Sequence, residues 1–149
     1  MPEYLATTVD KFTFKVATDR LYNSDGTWVK EEGGRVRIGI SDFIQQRSGD
    51  IAFADVQPLG TELTPADLIV NIETIKVDMD VSSPLSGTIL EINPHMDEAP
   101  EVINQDPYGE GWILMVEPSN WEAEKAQLLD AQTYFEQMKV EAEEEAKKL

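Results

Sequence analysis

Cysteine is absent from the 149 residues. That excludes disulfides, thiolate metal sites and cysteine nucleophiles, so any sulfur redox chemistry would need a prosthetic group. Histidine occurs once, as His95. A histidine-dependent triad would have to use it, and no Gly-x-Ser-x-Gly elbow accompanies it. Its setting, Asn93-Pro94-His95-Met96, reads as a solvent-exposed turn rather than a catalytic position. No apolar run approaches the length of a bilayer span, so no membrane partner is expected. The start, Met1-Pro2-Glu3-Tyr4-Leu5, has no basic segment followed by an apolar stretch, so no secretory signal is read and the expected location is the cytoplasm. Basic residues are scarce, 12 against 29 acids, for a formal charge of −17. A surface this acidic repels phosphate backbones and argues against nucleic-acid binding. The carboxylates are abundant but scattered; among 29 acids close pairs arise by chance, so they identify no acid–base site, and no metal site is expected.

What is present suits one packed domain: 41% of the residues are hydrophobic, enough for a core in a chain of this length. The first half reads as short strands. Lys11–Val16 and Arg35–Ile40 alternate strictly, and Thr27–Lys30 resumes a strand after the turn chemistry of Asn23-Ser24-Asp25-Gly26. Ser41 or Asp42 caps a short helix through Arg47, and Gly49 closes it. Ser48–Phe53 and Ser86–Glu91 look alike, which suggests two similar lobes of a small sandwich. A helix is expected over Asp97–Asn104 with Pro100 in its first turn, and a central apolar strand over Gly111–Val116. Ser119 and Glu122 fit a capping box. Asp130 is a second possible cap, and Leu128, Leu129, Tyr134, Phe135 and Met138 give an apolar helix face. From Lys139 onward that stripe fades into glutamates and predicts a solvated, fraying end. The organisation expected is a β sandwich over 1–118 with a helical extension over 119–149 packed on it.

The chemistry-bearing position is Lys76, the only basic residue between Arg47 and Lys125 in a stretch, Ser48–Glu124, that holds sixteen acids. Period-2 runs lead into Thr74-Ile75-Lys76 and out through Val77, Met79 and Val81, so a hairpin with Lys76 near its tip is plausible; pattern alone equally allows one long strand. A lysine solvating a strand end accounts for the charge pattern equally well. A carrier lysine would project from a stiff tip, with Ile72 and Val77 anchoring the hairpin and Glu73 and Asp78 marking it for a modifying enzyme. Acylation would remove its charge and leave a long flexible arm; with a lipoate-sized acyl group, the modification that the resemblance below implies, it would reach about 14 Å from summed bond lengths.

Glu73-Thr74-Ile75-Lys76-Val77 resembles the Glu-Ser-Val-Lys-Ala motif of glycine cleavage system H proteins. The surroundings follow in order: Trp28-Val29, Ile38-Gly39-Ile40-Ser41-Asp42-Phe43, Gly49-Asp50-Ile51, Ser83-Pro84-Leu85-Ser86-Gly87, Pro100–Asn104, Asp106-Pro107-Tyr108-Gly109 and Gly111-Trp112. The resemblance implies a mostly β protein with C-terminal helices, a lipoyl-domain barrel-sandwich hybrid of two small antiparallel sheets. It implies a non-enzymatic carrier with lipoate in amide linkage on Lys76, and Glu73, Thr74, Ile75 and Val77 as the hairpin tip. A lipoate-attaching enzyme and client enzymes are then partners. Ile75-Lys76-Val77 departs from the Met-Lys-Met of biotin carriers. Gly26-Thr27 stands where many H proteins have His-Glu, and Lys76-Val77 is followed by Asp78-Met79-Asp80. These departures tilt the expectation towards H-like lipoate-binding proteins serving a heterodisulfide-reductase-like complex in sulfur oxidation, with the glycine cleavage H protein as alternative and an unmodified lipoyl-fold binding module as a further one.

Overall fold

The computed structural model describes residues 3–148. Every strand pairing in it is antiparallel. A separate hairpin is formed by β1 (Tyr4–Val9) and β2 (Phe12–Ala17). A six-stranded sheet contains β3 (Leu21–Tyr22), β4 (Thr27–Glu32), β5 (Arg35–Ile40), β7 (Glu62–Leu63), β10 (Gly87–Ile92) and β11 (Leu114–Pro118), in the order β3-β4-β5-β11-β10-β7. A three-stranded sheet is built from β6 (Ile51–Val56), β8 (Leu68–Thr74) and β9 (Asp78–Ser82), in the order β6-β8-β9. The helices are α1 (Asp42–Ser48), α2 (His95–Glu98), α3 (Val102–Gln105), α4 (Trp121–Lys125) and α5 (Ala131–Lys147). No helix among the described residues is long and apolar enough to cross a membrane.

Alternation explains the strands. In β5, Val36, Ile38 and Ile40 are buried while Arg35 and Arg37 face outward. They join Ile69, Val70 and Ile72 of β8 and Val116 of β11 in one core, so inward faces of both larger sheets meet there. Each fully buried aliphatic contributes about 1.5–3 kcal/mol. The ion pairs are mostly half-exposed and contribute at most about 1 kcal/mol each, so apolar burial dominates. α5 shares this core through Ala131, Tyr134, Met138 and Ala142. The Tyr134 ring stacks on Tyr22 at 4.6 Å between centroids, and its hydroxyl meets Ser41 Oγ at 2.8 Å.

The helix caps of α1 and α5 stand as read. Ser41 accepts from the Ile44 amide and Gly49 closes α1, while Asp130 accepts from the Thr133 amide. The mostly β fold of antiparallel sheets with C-terminal helices stands as expected, with six strands in one sheet and the β1–β2 hairpin separate from it. Other expectations need correction. Asp97–Asn104 is not one helix: α2 and α3 flank Pro100, whose missing N–H and fixed φ interrupt the run. His95 is exposed as read, but it opens α2. The Gly111–Val116 run enters the sheet only at Leu114, because Gly111 and Trp112 turn back on Asp106 and Gly109. No capping box forms at Ser119: the N-cap of α4 is Asn120, without a side-chain cap bond. Glu124 instead accepts from the amide and hydroxyl of Ser86. The chain past Lys139 does not fade into solvent, since α5 continues to Lys147, Ala142 is buried, and Glu145 pairs with Arg47.

Candidate functional site around the β8–β9 turn

β8 and β9 pair in register from Asn71 opposite Asp80 to Glu73 opposite Asp78. Ile75, Lys76 and Val77 form the connecting turn. One hydroxyl holds that turn. Thr74 Oγ1 accepts from the Lys76 amide at 3.1 Å and the Val77 amide at 3.0 Å, and donates to the Ser48 carbonyl at 2.8 Å. The Thr74 amide donates to the Val77 carbonyl at 2.8 Å. Thr74 therefore ties the tip both to itself and to the end of α1.

The side chains of the tip divide by environment. Lys76 is exposed, and Ile75 beside it is 93% exposed. Ile72 is fully buried and anchors the hairpin as expected. Val77 does not: it is 42% exposed, because the turn lifts it off the sheet. Glu73 is exposed, whereas Asp78 and Asp80 each accept from Asn71 Nδ2, at 2.6 and 2.8 Å.

The Lys76 side chain lies back over Gly49, and its Nζ donates to the Arg47 carbonyl at 3.3 Å. A Cβ on Gly49 would stand 3.1 Å from Lys76 Cδ, and Gly49 has a φ of +87° that disfavours any side chain. The glycine thus serves both the end of α1 and the path of the lysine. Asn104 of α3 fixes this corner. Its Nδ2 donates to the Gly49 carbonyl and to Gln45 Oε1, and its Oδ1 accepts from the Ile51 amide. Sequence reasoning gave Asn104 no role of its own; its place in the Pro100–Asn104 segment of the resemblance was the signal.

Lys76 is among the residues lining a surface groove of about 240 Å³. Phe12 and Phe14 of β2 and Phe43 of α1 supply aromatic lining. Cavities near ~150 Å³ hold a benzene ring, so a five-membered dithiolane ring fits here. An exposed lysine, a glycine cradle under its stem and an apolar groove at its end match the chemistry of a lipoyl-lysine. Nothing in the corner resembles a nucleophile–base pair.

Several other residues of the resemblance pack together around Trp28. Trp28 is fully buried, and its Nε1 donates to the Ile40 and Pro107 carbonyls at 3.1 and 3.0 Å. A Cβ at Gly39 would lie 2.5 Å from the Trp28 ring, so only glycine fits across the strand pair. The Arg20 guanidinium packs over Trp28 at 4.5 Å and Tyr108 at 5.2 Å. Gly26, read as a departure before the tryptophan, has φ +91°, and a Cβ there would meet Ile44 Cγ1. At Gly26 the packing against Ile44 and the positive φ leave room for glycine alone.

Residues 20–141 match the family described as Glycine cleavage H-protein. A "Glycine cleavage system H protein" of Oceanobacillus iheyensis is 40% identical over 116 residues, spanning 78% of this chain and 91% of that one. A "Probable glycine cleavage system H protein" of Pyrococcus horikoshii is 36% identical over 127 residues, 85% of this chain and 94% of that one. The crystal structure of a glycine cleavage system H protein from Mycobacterium marinum superposes with a TM-score of 0.73 at 31% identity, covering 80% of this chain and 96% of that one. These relatives favour the glycine-cleavage alternative over sulfur oxidation, towards which the departures had tilted the expectation. The chain belongs to the glycine cleavage H-protein family, whose members are carrier components rather than enzymes.

Proposed function

We propose that this chain carries a lipoyl group in amide linkage on Lys76 and serves as the H protein of a glycine cleavage system. The observation that carries the reading is the Lys76 turn itself: an exposed amine, on a tip tied down by Thr74, at the head of an apolar groove. The amine is open to a lipoate-attaching enzyme. Once acylated it keeps one N–H, so the bond to the Arg47 carbonyl is compatible with the modified state. When bound, the group supplies a disulfide–dithiol couple able to take up and release the aminomethyl unit. The protein's own contribution is placement. The turn presents the arm, the groove shelters it between clients, and the tether raises its effective concentration at each partner site. In this reading the clients are a glycine decarboxylase and an aminomethyltransferase, between which the arm would carry the aminomethyl group.

Intact mass of protein isolated from its native host tests the site. Wild type should carry the lipoyl increment and Lys76→Arg should lack it. A Lys76→Arg protein that retains the increment would sink the assignment. Failure of the fully lipoylated protein to support glycine decarboxylation by the client enzymes would sink the system while sparing the site.

A further inference from the structure

The groove is assembled from segments far apart in the chain, and most of its walls lie outside the 20–141 family match. Val9, Phe12 and Phe14 come from the β1–β2 hairpin, and Ala142, Glu145 and Ala146 come from the last two turns of α5. Only α1 and the Lys76 tip contribute from within the match. Among the described residues, one side-chain polar contact holds the α5 wall beside the buried Ala142. Arg47 Nη1 meets Glu145 Oε1 at 3.2 Å, and the guanidinium lies 5.1 Å from the centre of the Phe43 ring. The carbonyl of that same Arg47 accepts from Lys76 Nζ. Arg47 therefore touches the amine through its backbone and the far wall through its side chain. Ala142 and Ala146, one helical turn apart, keep side-chain bulk out of the space between.

We propose that the last two turns of α5, held by the Arg47–Glu145 pair, form a latched wall that sets how far the arm on Lys76 is sheltered from other molecules. Glu145 is a positioning residue in this scheme: it acts through Arg47 and the helix end. Both partners of the pair are more than two-fifths exposed, so the latch is weak and salt-sensitive. That strength suits a wall that must yield when a client enzyme draws the arm out. The inference rests on the lipoyl assignment above.

The test uses the full lipoylated chain, with intact mass confirming the increment on every variant first. The readout is the rate at which tris(hydroxypropyl)phosphine, an uncharged reductant, opens the dithiolane ring. Phosphine and water convert the S–S bond into two thiols and a phosphine oxide, and the thiols are trapped by a maleimide and counted by mass. Wild type should react more slowly than free lipoamide. Glu145→Gln should raise the rate roughly two- to fivefold, the population change that loss of one half-exposed ion pair allows. Added salt should speed wild type and leave Glu145→Gln unchanged. Ala146→Phe, which fills the groove while leaving the pair in place, should bring the rate close to that of free lipoamide. A wild-type rate equal to that of free lipoamide overturns the proposal. So do full lipoylation and unchanged circular dichroism in Glu145→Gln with no change in rate. Absence of the lipoyl increment from wild type overturns the site assignment, and this inference with it.

Discussion

Replacing Thr74 by valine removes one oxygen and little volume, so it isolates what the hydroxyl does for the tip. That oxygen takes two amide hydrogens, from Lys76 and Val77, and gives its own to the Ser48 carbonyl. A hydrogen bond contributes about 0.5–1.5 kcal/mol net, and the low end applies here because water can reach an exposed turn. Three bonds at that level give about 1–2 kcal/mol. In a domain of this size 1 kcal/mol moves the melting temperature by about 2–4 °C, so Thr74→Val should melt about 3–6 °C below wild type. The loss is local as well as global. The Lys76 and Val77 amides should exchange with deuterium faster in Thr74→Val, while the amide of Ile72, deeper in the β8–β9 ladder, should be far less affected. Thr74→Ser keeps the oxygen and should keep both properties close to wild type. The measurements are thermal unfolding by circular dichroism and residue-resolved hydrogen exchange. A Thr74→Val protein with unchanged exchange at Lys76 and Val77 would refute the reasoning, for the strand register alone would then be holding the tip.

Two other substitutions and conditions test the support beneath the site. Trp28→Ala should cost about 3–5 kcal/mol in urea unfolding, because it empties a fully buried position and orphans the Ile40 and Pro107 carbonyls; a loss under about 1 kcal/mol would mean that the Arg20 and Tyr108 stack closes the gap. Alkaline pH should unfold the protein through its core tyrosines. Burial pushes the hydroxyls of Tyr22, Tyr108 and Tyr134 above the ordinary value of 10.0. The folded chain then keeps protons that the unfolded chain releases, so their contribution is full below pH 10 and falls as pH rises beyond it, by up to about 1.4 kcal/mol per unit for each tyrosine. Melting temperatures at pH ~9 and ~11 should differ by several degrees, and a flat profile would contradict the burial argument.

Legibility from sequence followed the range of the interactions. β5 and the caps of α1 and α5 were readable because alternation and capping are local: Val36, Ile38 and Ile40 point inward on one strand, and Ser41 and Asp130 reach amides three residues on. The tip was half readable. Alternation on both sides placed Lys76 near a turn, yet no Asn-Gly or Asp-Gly marks the turn, because the Thr74 hydroxyl does the work that such a pair would do. β1 was not read, since Leu5, Thr7 and Val9 are only half-buried and its hairpin turns at Asp10 with φ +58°. The run Gly111–Val116 signalled burial correctly and a strand only in part, because an apolar run does not distinguish a ladder from a buried turn. The end of α5 misled for the opposite reason. Ala142 is a small residue among glutamates, and its burial depends on distant elements, the β1–β2 hairpin among them.

Two sets of the residues that carried the family resemblance do physically separate jobs. Trp28, Gly39, Pro107 and Tyr108 lock one side of the sheet through a ring, a missing Cβ and two carbonyls, and none of them touches Lys76. Thr74 and Gly49 shape the tip and the path of the lysine stem, Thr74 in part through the carbonyl of neighbouring Ser48. A substitution at Lys76 leaves the first set intact and most of the second, so such a chain would fold the same way and match the same relatives while carrying nothing. Fold and family membership therefore follow from the support, and the carrier role hangs on one amine that the support does not require. That independence makes the mass of the native protein, and of its Lys76→Arg variant, a sharper test than any further comparison of sequence or shape.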